Sequence, residues 1–199
     1  MFVVVEGLDG TGKSTLARTL AMHMGAQLLR TPDESFADVR PLLDSQLSRS
    51  PRAHTQFYVS MVEYASAKTR HLLSMGIPVV MDRYWASTVA YDRVFRKSGL
   101  PFHALGAGLL TPSVTLFLEA SRDVRQQRIQ GRGDASAEDA RGLDPEADRQ
   151  LCQAYDAALV GHHTGEVIRI DVEGASPADV LRMAVNRIEA DFALRDTLH

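Results

Sequence analysis

One segment near the start of the chain constrains the fold more than any other. Gly7-Leu8-Asp9-Gly10-Thr11-Gly12-Lys13-Ser14 fits the pattern G-x-x-x-x-G-K-[ST] at every fixed position. A short β-branched run at 3–5 precedes it, and a helix-compatible stretch at 13–24 follows it. Backbone N–H groups at the start of such a helix form a cradle for anionic oxygens, and glycines let the loop approach a ligand closely. The segment therefore predicts a phosphate-binding loop between a buried strand and a helix.

Two side chains of this loop have predicted roles of their own. Lys13 is expected to reach the β- and γ-phosphates of a bound nucleotide. Ser14 is expected to supply a hydroxyl ligand to Mg²⁺, a cation that prefers oxygen ligands.

The rest of the chain repeats the order of strand and helix. The predicted strands are the apolar runs at 3–5, 28–29, 77–81, 114–118 and 167–170. The predicted helices are 13–24, 36–75 with a break at Ser50-Pro51, 85–97, 101–110, 124–130, 144–160 and 177–192. Short continuous apolar strands that alternate with helices are typical of a parallel sheet covered on both faces. We therefore expect a single α/β domain over residues 1–199.

The stretch at 131–143 is charged and has no apolar periodicity. A functional lid and a surface loop both fit this composition, and the glycines at its ends could act as hinges.

Charge and composition exclude several classes of protein. The 199 residues include 22 Lys and Arg and 25 Asp and Glu, for a net charge of −3. This balance argues against a nucleic-acid coat or a membrane-surface binder. No apolar run approaches the length of about 18 residues that a membrane span needs, and the start lacks the basic region of a signal peptide. Cys152, the single cysteine, fits a reducing compartment and is expected to be a small core residue. We expect a cytoplasmic protein.

Two motifs and a weaker third one carry a resemblance to a known family. Residues 2–15 resemble the phosphate loop of thymidylate kinases. Asp82-Arg83-Tyr84, followed by Ser87 and Ala90-Tyr91, resembles the Asp-Arg signature that this family carries after its third strand. The arginine-bearing helix that ends at Arg132-Gly133 resembles the start of the family's lid.

This resemblance implies a fold, an activity and partners. The implied fold is the P-loop NTPase fold, with a five-stranded parallel sheet flanked by helices and a small mobile lid at about 131–147. The implied activity is transfer of the γ-phosphoryl group of ATP, with Mg²⁺, to a pyrimidine nucleoside monophosphate, by default dTMP. The implied partners are nucleotide substrates and a second copy of the chain in a homodimer.

The resemblance also implies roles for particular residues. Those expected in catalysis are Asp9, Lys13, Asp82 and Arg83, and those expected to hold the metal are Ser14 and Asp82. Those expected to bind ATP are Gly7, Asp9, Gly10, Thr11, Gly12, Lys13, Ser14, Thr15, Arg128 and Arg132. Those expected to bind the acceptor are Asp9, Arg40, Phe57, Tyr58, Arg83 and Tyr91, with only one of Phe57 and Tyr58 touching the ligand.

The chemistry of such a transfer explains these residue types. An acceptor phosphate whose second pKa is about 6 is already mostly a nucleophilic dianion at pH 7, so no general base is required. The main barrier to transfer is the repulsion between two polyanions. Cations and the positioning of the two phosphate groups lower this barrier. Arg125, Arg128 and Arg132 share one helix face. We expect the last two to contact ATP and Arg125 to lie on a solvated face with local ion pairs. Arg141 is a candidate for stabilising the transition state.

Some positions depart from the family pattern. Glu34 stands where an arginine is usual after the second strand, the stretch at 59–63 lacks another usual arginine, and Asp92 stands where glutamine is common. The mitochondrial-type UMP–CMP kinase branch is a closer likeness in several segments, and there Arg40 is placed to replace a lost acceptor arginine. The segments that carry this second likeness are Asp82-Arg83-Tyr84-Trp85, Ser87-Thr88, Phe57-Tyr58, Arg40 and Gln130-Gly131-Arg132-Gly133.

These departures leave the acceptor open. UMP, CMP, dUMP and dCMP are alternatives to dTMP. A deoxynucleoside kinase, whose hydroxyl acceptor needs a carboxylate base, and a nucleotide-binding module without transferase activity are the other hypotheses.

Overall fold

The computed structural model describes residues 1–133, 137–161 and 163–196, which form strands and helices in alternation. The strands are β1 (Phe2–Gly7), β2 (Gln27–Arg30), β3 (Val79–Asp82), β4 (Val114–Glu119) and β5 (Glu166–Asp171). The helices are α1 (Lys13–Met24), α2 (Arg40–Leu47), α3 (Pro51–Ser74), α4 (Trp85–Tyr91), α5 (Phe102–Gly106), α6 (Arg122–Arg132), α7 (Ala137–Gly142), α8 (Pro145–Leu159) and α9 (Pro177–Asp196). A 3₁₀ turn, Glu34–Phe36, precedes α2, and a π-helical turn, Asp92–Arg96, follows α4.

The five strands form one parallel sheet in the order β2-β3-β1-β4-β5. This confirms the predicted α/β fold and its five-stranded sheet. Parallel strands place all their carboxyl ends at one edge, which is where open α/β sheets bind ligands. The ends of β1, β2 and β3 therefore bring the phosphate loop, Thr31 and Arg83 to the same edge.

Apolar side chains of β1 alternate between two cores, one on each face of the sheet. Phe2 and Val4 belong to the core that α3, α4 and α8 cover. Val3 and Val5 belong to the core that α1 and α9 cover. Both faces are covered by apolar cores, so every residue of β1 is buried. This is why the strand is a continuous apolar run instead of an alternating one.

Most predicted elements differ from the structure by a few residues at their ends, and three differ in kind or length. The helix expected at 85–97 is α4 followed by the π-helical turn, and the one expected at 101–110 is the short α5. The stretch at 131–143, expected to lack regular structure, contains α7, while residues 134–136 of it lie outside the described residues. The predicted break at Ser50-Pro51 is present because the Ser50 hydroxyl caps α3, accepting a bond from the Ala53 N–H at 3.4 Å.

The prediction that Cys152 is a core residue is wrong, because its side chain is exposed. The buried side of α8 consists of Leu151, Ala154, Tyr155, Ala158 and Leu159. Position 152 is about 100° around the helix from Leu151, which turns the thiol toward solvent. Among the described residues, no helix is both long enough and apolar enough to span a membrane.

Candidate active site

A cavity of about 580 Å³ opens at the carboxyl edge of the sheet. The predicted site residues that line it are Asp9, Gly10, Thr11, Gly12, Lys13, Ser14, Thr15, Arg40, Tyr58, Arg83, Tyr91, Arg128 and Arg132. The structure thus brings residues from five separate stretches of the chain to one place. The phosphate loop, α1 and α6 form one half of the cavity, and α2, α3, α4 and the π-helical turn form the other.

The phosphate loop has the conformation that anion binding requires. Gly10 and Gly12 have φ values of 85° and 95°, which favour glycine. Gly12 caps α1 without a side-chain hydrogen bond, so the first N–H groups of the helix are left for a ligand. The Thr11 hydroxyl donates to the Leu8 carbonyl at 2.8 Å and closes the loop. The loop is therefore preorganised for phosphate oxygens.

Lys13 lies buried at the centre of this cradle. Its ammonium donates to the Leu8 carbonyl at 2.5 Å and lies 3.6 Å from a carboxylate oxygen of Asp9. Burial, together with the nearby charge of Arg83, lowers the pKa of Lys13 to about 8 although Asp9 opposes the shift. A bound polyanion would reverse this shift by stabilising the charged ammonium.

Asp9 connects the two halves of the cavity. Its carboxylate accepts hydrogen bonds from the Arg83 guanidinium and from the Tyr91 hydroxyl. Burial alone would raise the pKa of Asp9, but the charges of Arg83 and Lys13 outweigh burial and hold it well below its usual range. The carboxylate is therefore ionised across the physiological range. Burial and the Asp9 charge together raise the pKa of Tyr91, which keeps its hydroxyl a donor.

Arg83 has a backbone that arginine rarely adopts, with φ at 67°. Glu6, buried at the end of β1, holds the segment that follows. Its carboxylate accepts the Tyr84 N–H at 2.9 Å, the Ser87 N–H at 3.2 Å and the Ser87 hydroxyl. Burial raises the pKa of Glu6 despite these bonds. Sequence reasoning missed Glu6, although a carboxylate inside an apolar strand was the available signal.

Asp82 lies beside the main cavity and lines a smaller one of about 280 Å³ together with Ser14. Asp82 is 5% exposed, and among the described residues its Oδ1 has no hydrogen-bond partner. Its Oδ2 lies 3.6 Å from the Arg30 guanidinium. A buried carboxylate oxygen without a donor among the described residues, in a cavity that Ser14 also lines, fits Mg²⁺, which takes one or two protein oxygens beside phosphate and water. These two residues therefore suit the metal that the sequence predicted.

The far wall of the cavity carries Tyr58 between two arginines. The Tyr58 hydroxyl donates to Asp44 at 2.8 Å and accepts from Arg40 Nε at 3.2 Å. Burial and the Asp44 charge raise the pKa of Tyr58 to about 12 although Arg40 opposes the shift. The Arg96 guanidinium lies over the Tyr58 ring, 4.6 Å from its centroid, and it too lines the cavity. Sequence reasoning missed Arg96, because nothing in the linear pattern distinguishes it from its exposed neighbour Arg93.

Two predicted ligand residues are not among the described residues that line the main cavity. Phe57 packs edge-on against Tyr58, with ring centroids 5.2 Å apart, and the helix turns it away from the cavity. Gly7 lies beneath the loop, where a Cβ would come within 2.6 Å of the Leu118 carbonyl oxygen. The absence of a side chain at Gly7 allows β1 to pack closely against β4.

Two arginines of α6, Arg128 and Arg132, line the cavity, and a third, Arg125, is buried beneath the phosphate loop. Arg128 lines the cavity and donates to the Thr11 carbonyl at 3.4 Å and to the Val172 carbonyl at 2.8 Å. Arg132 also lines the cavity and pairs with Asp139 of α7 at 3.4 Å. The predicted solvated face for Arg125 is wrong, since its side chain is 2% exposed and pairs with Asp148. Arg125 packs under the phosphate loop, which it supports from below.

Arg141, the candidate for the transition state, lies over the ring of Phe95 at 4.3 Å from the centroid. Phe95 belongs to the π-helical turn, so α7 contacts that turn. Arg141 is not among the described residues that line the cavity.

Comparison with known proteins identifies the family. The sequence profile of the family described as Thymidylate kinase matches residues 5–173 of this chain. A thymidylate kinase of Xanthomonas campestris pv. campestris (strain B100) is 30% identical over 209 residues, which cover 98% of this chain and 86% of the relative. The chain belongs to the thymidylate kinase family. It is therefore a nucleoside monophosphate kinase, and members of this family generally use ATP and Mg²⁺.

Two further likenesses extend the comparison. A thymidylate kinase of Bdellovibrio bacteriovorus is 27% identical over 161 residues, or 74% of this chain and 75% of the relative. A solved thymidylate kinase of Candida albicans, described as having broad substrate specificity, superposes with a TM-score of 0.68. It is 22% identical and covers 96% of this chain, with 91% of its own chain matched. At this identity, the structural likeness shows the shared fold of the thymidylate kinase family.

Proposed function

We propose that this chain catalyses ATP- and Mg²⁺-dependent phosphorylation of a pyrimidine nucleoside monophosphate, with dTMP as the principal acceptor. The observation that carries the proposal is the bridge through Asp9. One carboxylate contacts Lys13 of the phosphate loop and Arg83 of the opposite half. Two cations thus flank the point where a donor and an acceptor phosphate would meet.

The donor half would bind ATP through its backbone and Lys13. The N–H groups at the start of α1 and the Lys13 ammonium would bind the β- and γ-phosphates, while Arg128 lies against the Thr11 carbonyl at the rim. Negative charge that develops between the β- and γ-phosphates in the transition state would be stabilised by the same ammonium.

The acceptor half would bind the monophosphate through Arg83 and Arg40. The acceptor is a dianion near neutral pH, so no proton has to be removed before it attacks the γ-phosphorus. Asp9 orients Arg83, and the tight backbone turn held by Glu6 fixes the start of the arginine side chain. The protein would then contribute positioning and charge, which supply most of the acceleration in phosphoryl transfer.

The metal would be held by Ser14 and Asp82. When bound, Mg²⁺ neutralises charge on the β- and γ-phosphate oxygens. The unpartnered Asp82 Oδ1 supports this assignment. The family resemblance further supports a single domain over 1–199 with a lid at about 131–147, a homodimer and a cytoplasmic location, all of which we include in the proposal.

A panel of acceptors tests this function. ADP release with ATP and Mg²⁺ is measured with dTMP, dUMP, dCMP, UMP, CMP and thymidine, against a sample without acceptor. We expect the highest kcat/KM with dTMP and no turnover above background with thymidine. Turnover of thymidine above dTMP would instead identify a deoxynucleoside kinase. ATP binding without ADP release for any acceptor would identify a nucleotide-binding module and overturn the proposal.

A further inference from the structure

Arg125 of α6 is buried to a degree that is unusual for an arginine, with 2% of its side chain exposed. Three of its nitrogens donate to three separate parts of the chain. Nε donates to the Ala120 carbonyl at 3.3 Å, Nη1 donates to the Asp9 carbonyl at 3.4 Å, and Nη2 donates to the Asp148 carboxylate. These partners lie directly after β4, in the phosphate loop and in the first turn of α8. One planar group therefore joins three elements beneath the site.

Stability alone does not account for a charge at this position. A buried ion pair contributes little net stability, because removing two charges from water costs about as much as their attraction gains. An apolar side chain of similar size would fill the same space. What the guanidinium adds is a rigid fork of donors, whose orientation the bond to Asp148 fixes. The pair therefore directs the remaining donors at two backbone carbonyls.

One of these carbonyls belongs to the residue that joins the two halves of the cavity. The Asp9 carboxylate accepts a bond from Arg83 and lies 3.6 Å from the Lys13 ammonium. The next residue, Gly10, lies so close to α6 that a Cβ there would come within 2.6 Å of the Arg125 carbonyl oxygen. Arg125 thus holds the Asp9 backbone from below, while the Asp9 side chain faces the two cations. A shift of this backbone would move the carboxylate relative to both.

We propose that Arg125 is a positioning residue for phosphoryl transfer, which acts through the Asp9 carbonyl to hold the Asp9 carboxylate between Lys13 and Arg83. Asp148 fixes the Arg125 guanidinium in the orientation that this requires. Transfer depends on exact placement of the groups around the reacting phosphates, and a displacement of about 1 Å can lower a rate by about a hundredfold. This inference rests on the proposed function.

The first test separates positioning from stability. Arg125→Met leaves Asp148 without its partner, so the variant should unfold at a lower temperature than the unmodified protein. The double variant Arg125→Met, Asp148→Leu contains neither charge and should recover most of that stability. We expect kcat to fall by about tenfold in both variants, because neither has a donor for the Asp9 carbonyl. Recovery of kcat together with stability in the double variant would overturn the inference.

The second test asks whether Arg125 acts through Asp9. Residues that act through one another have non-additive effects, whereas independent effects multiply. We expect Asp9→Asn to lower kcat strongly and the addition of Arg125→Met to change the remaining rate by less than about twofold. A further tenfold loss in the combined variant would show that the two residues act independently and would overturn the inference. This comparison decides the matter if the first double variant does not recover its stability.

A third measurement does not depend on the proposed function. Amide hydrogen exchange reports local opening of the backbone, and we expect faster exchange over residues 9–14 in Arg125→Met and in the double variant with Asp148→Leu. Arg149→Met is the matched control, because Arg149 is a 59% exposed arginine of α8 paired with Glu146, and its loss should change neither exchange nor kcat. Unchanged exchange over 9–14 in the double variant would overturn the inference. Inactivity of the unmodified enzyme with every monophosphate would overturn the proposed function and leave this measurement to decide the role of Arg125.

Discussion

The two halves of the cavity are built in different ways. The donor half takes its central groups from one continuous segment, in which Gly10, Gly12, Lys13 and Ser14 follow one another. The acceptor half takes Arg40, Tyr58, Arg83 and Arg96 from α2, α3, the end of β3 and the π-helical turn. In the proposed function, backbone N–H groups and Lys13 bind the ligand in the first half, and side chains bind it in the second.

This difference has a physical reason. Phosphate presents the same oxygens in every nucleotide, so a loop of fixed backbone geometry can bind it and needs little else. A base must be distinguished by the pattern of its donors and acceptors, which requires side chains placed around it from several directions. The donor half is therefore compact in sequence, and the acceptor half can vary while the fold stays the same.

The largest expected effect comes from removing the cation of the donor half. Lys13→Met should lower kcat by about a hundredfold or more. The variant lacks the positive charge that would stabilise the negative charge developing on the phosphate oxygens in the transition state. Steady-state ADP release measures it. Lys97→Met is the matched control, since Lys97 is exposed and lies outside the cavity lining given by the described residues. Equal rates in the two variants would remove Lys13 from the mechanism.

A second prediction tests whether the donor half depends on tertiary packing. In Gly10→Ala the new Cβ would lie 2.6 Å from the Arg125 carbonyl oxygen and 2.9 Å from its Cα. Overpacking of this kind costs about 1–3 kcal/mol, so the variant should unfold at a clearly lower temperature.

Gly76→Ala is the control for this effect. Gly76 also has a positive φ, at 76°, but a Cβ there would meet nothing within 4 Å. Both variants share the backbone strain, so the difference in their unfolding midpoints isolates the contact with Arg125. A Gly10→Ala protein as stable as Gly76→Ala would show that α6 does not support the loop.

A smaller effect is expected from pH. Burial lowers the pKa of Lys13 to about 8 in the free protein, and the phosphates of ATP would raise it again. The bound form then holds more protons than the free form, so affinity for ATP falls as pH rises above about 8, approaching about tenfold per pH unit. Calorimetric titrations in two buffers of different ionisation enthalpy should detect proton uptake at pH 9. Proton uptake of the same size in Lys13→Met would show that Lys13 is not the group that takes up the proton.

Sequence patterns were most informative where the determining interactions are local. The motif at 7–14 and the order of apolar runs predicted the loop, the five strands and the fold family. Bounds were less accurate where long-range contacts shape the chain, as at the π-helical turn, whose wide geometry is held by the bond between Thr55 and Asp92, 37 residues apart. Burial of Arg125 and exposure of Cys152 were both mispredicted, because residue type indicates burial only on average.

The sequence by itself predicted a phosphate-binding loop at the start of the first helix, because a glycine-rich loop between strand and helix needs only neighbouring residues. It also determined a parallel sheet, through the continuous apolar runs of its strands. Only the tertiary structure decided which arginines line the cavity. Arg96 enters the cavity, while Arg93 beside it stays in solvent. That choice depends on how α3, α4 and the π-helical turn pack together, which brings distant residues within hydrogen-bond reach.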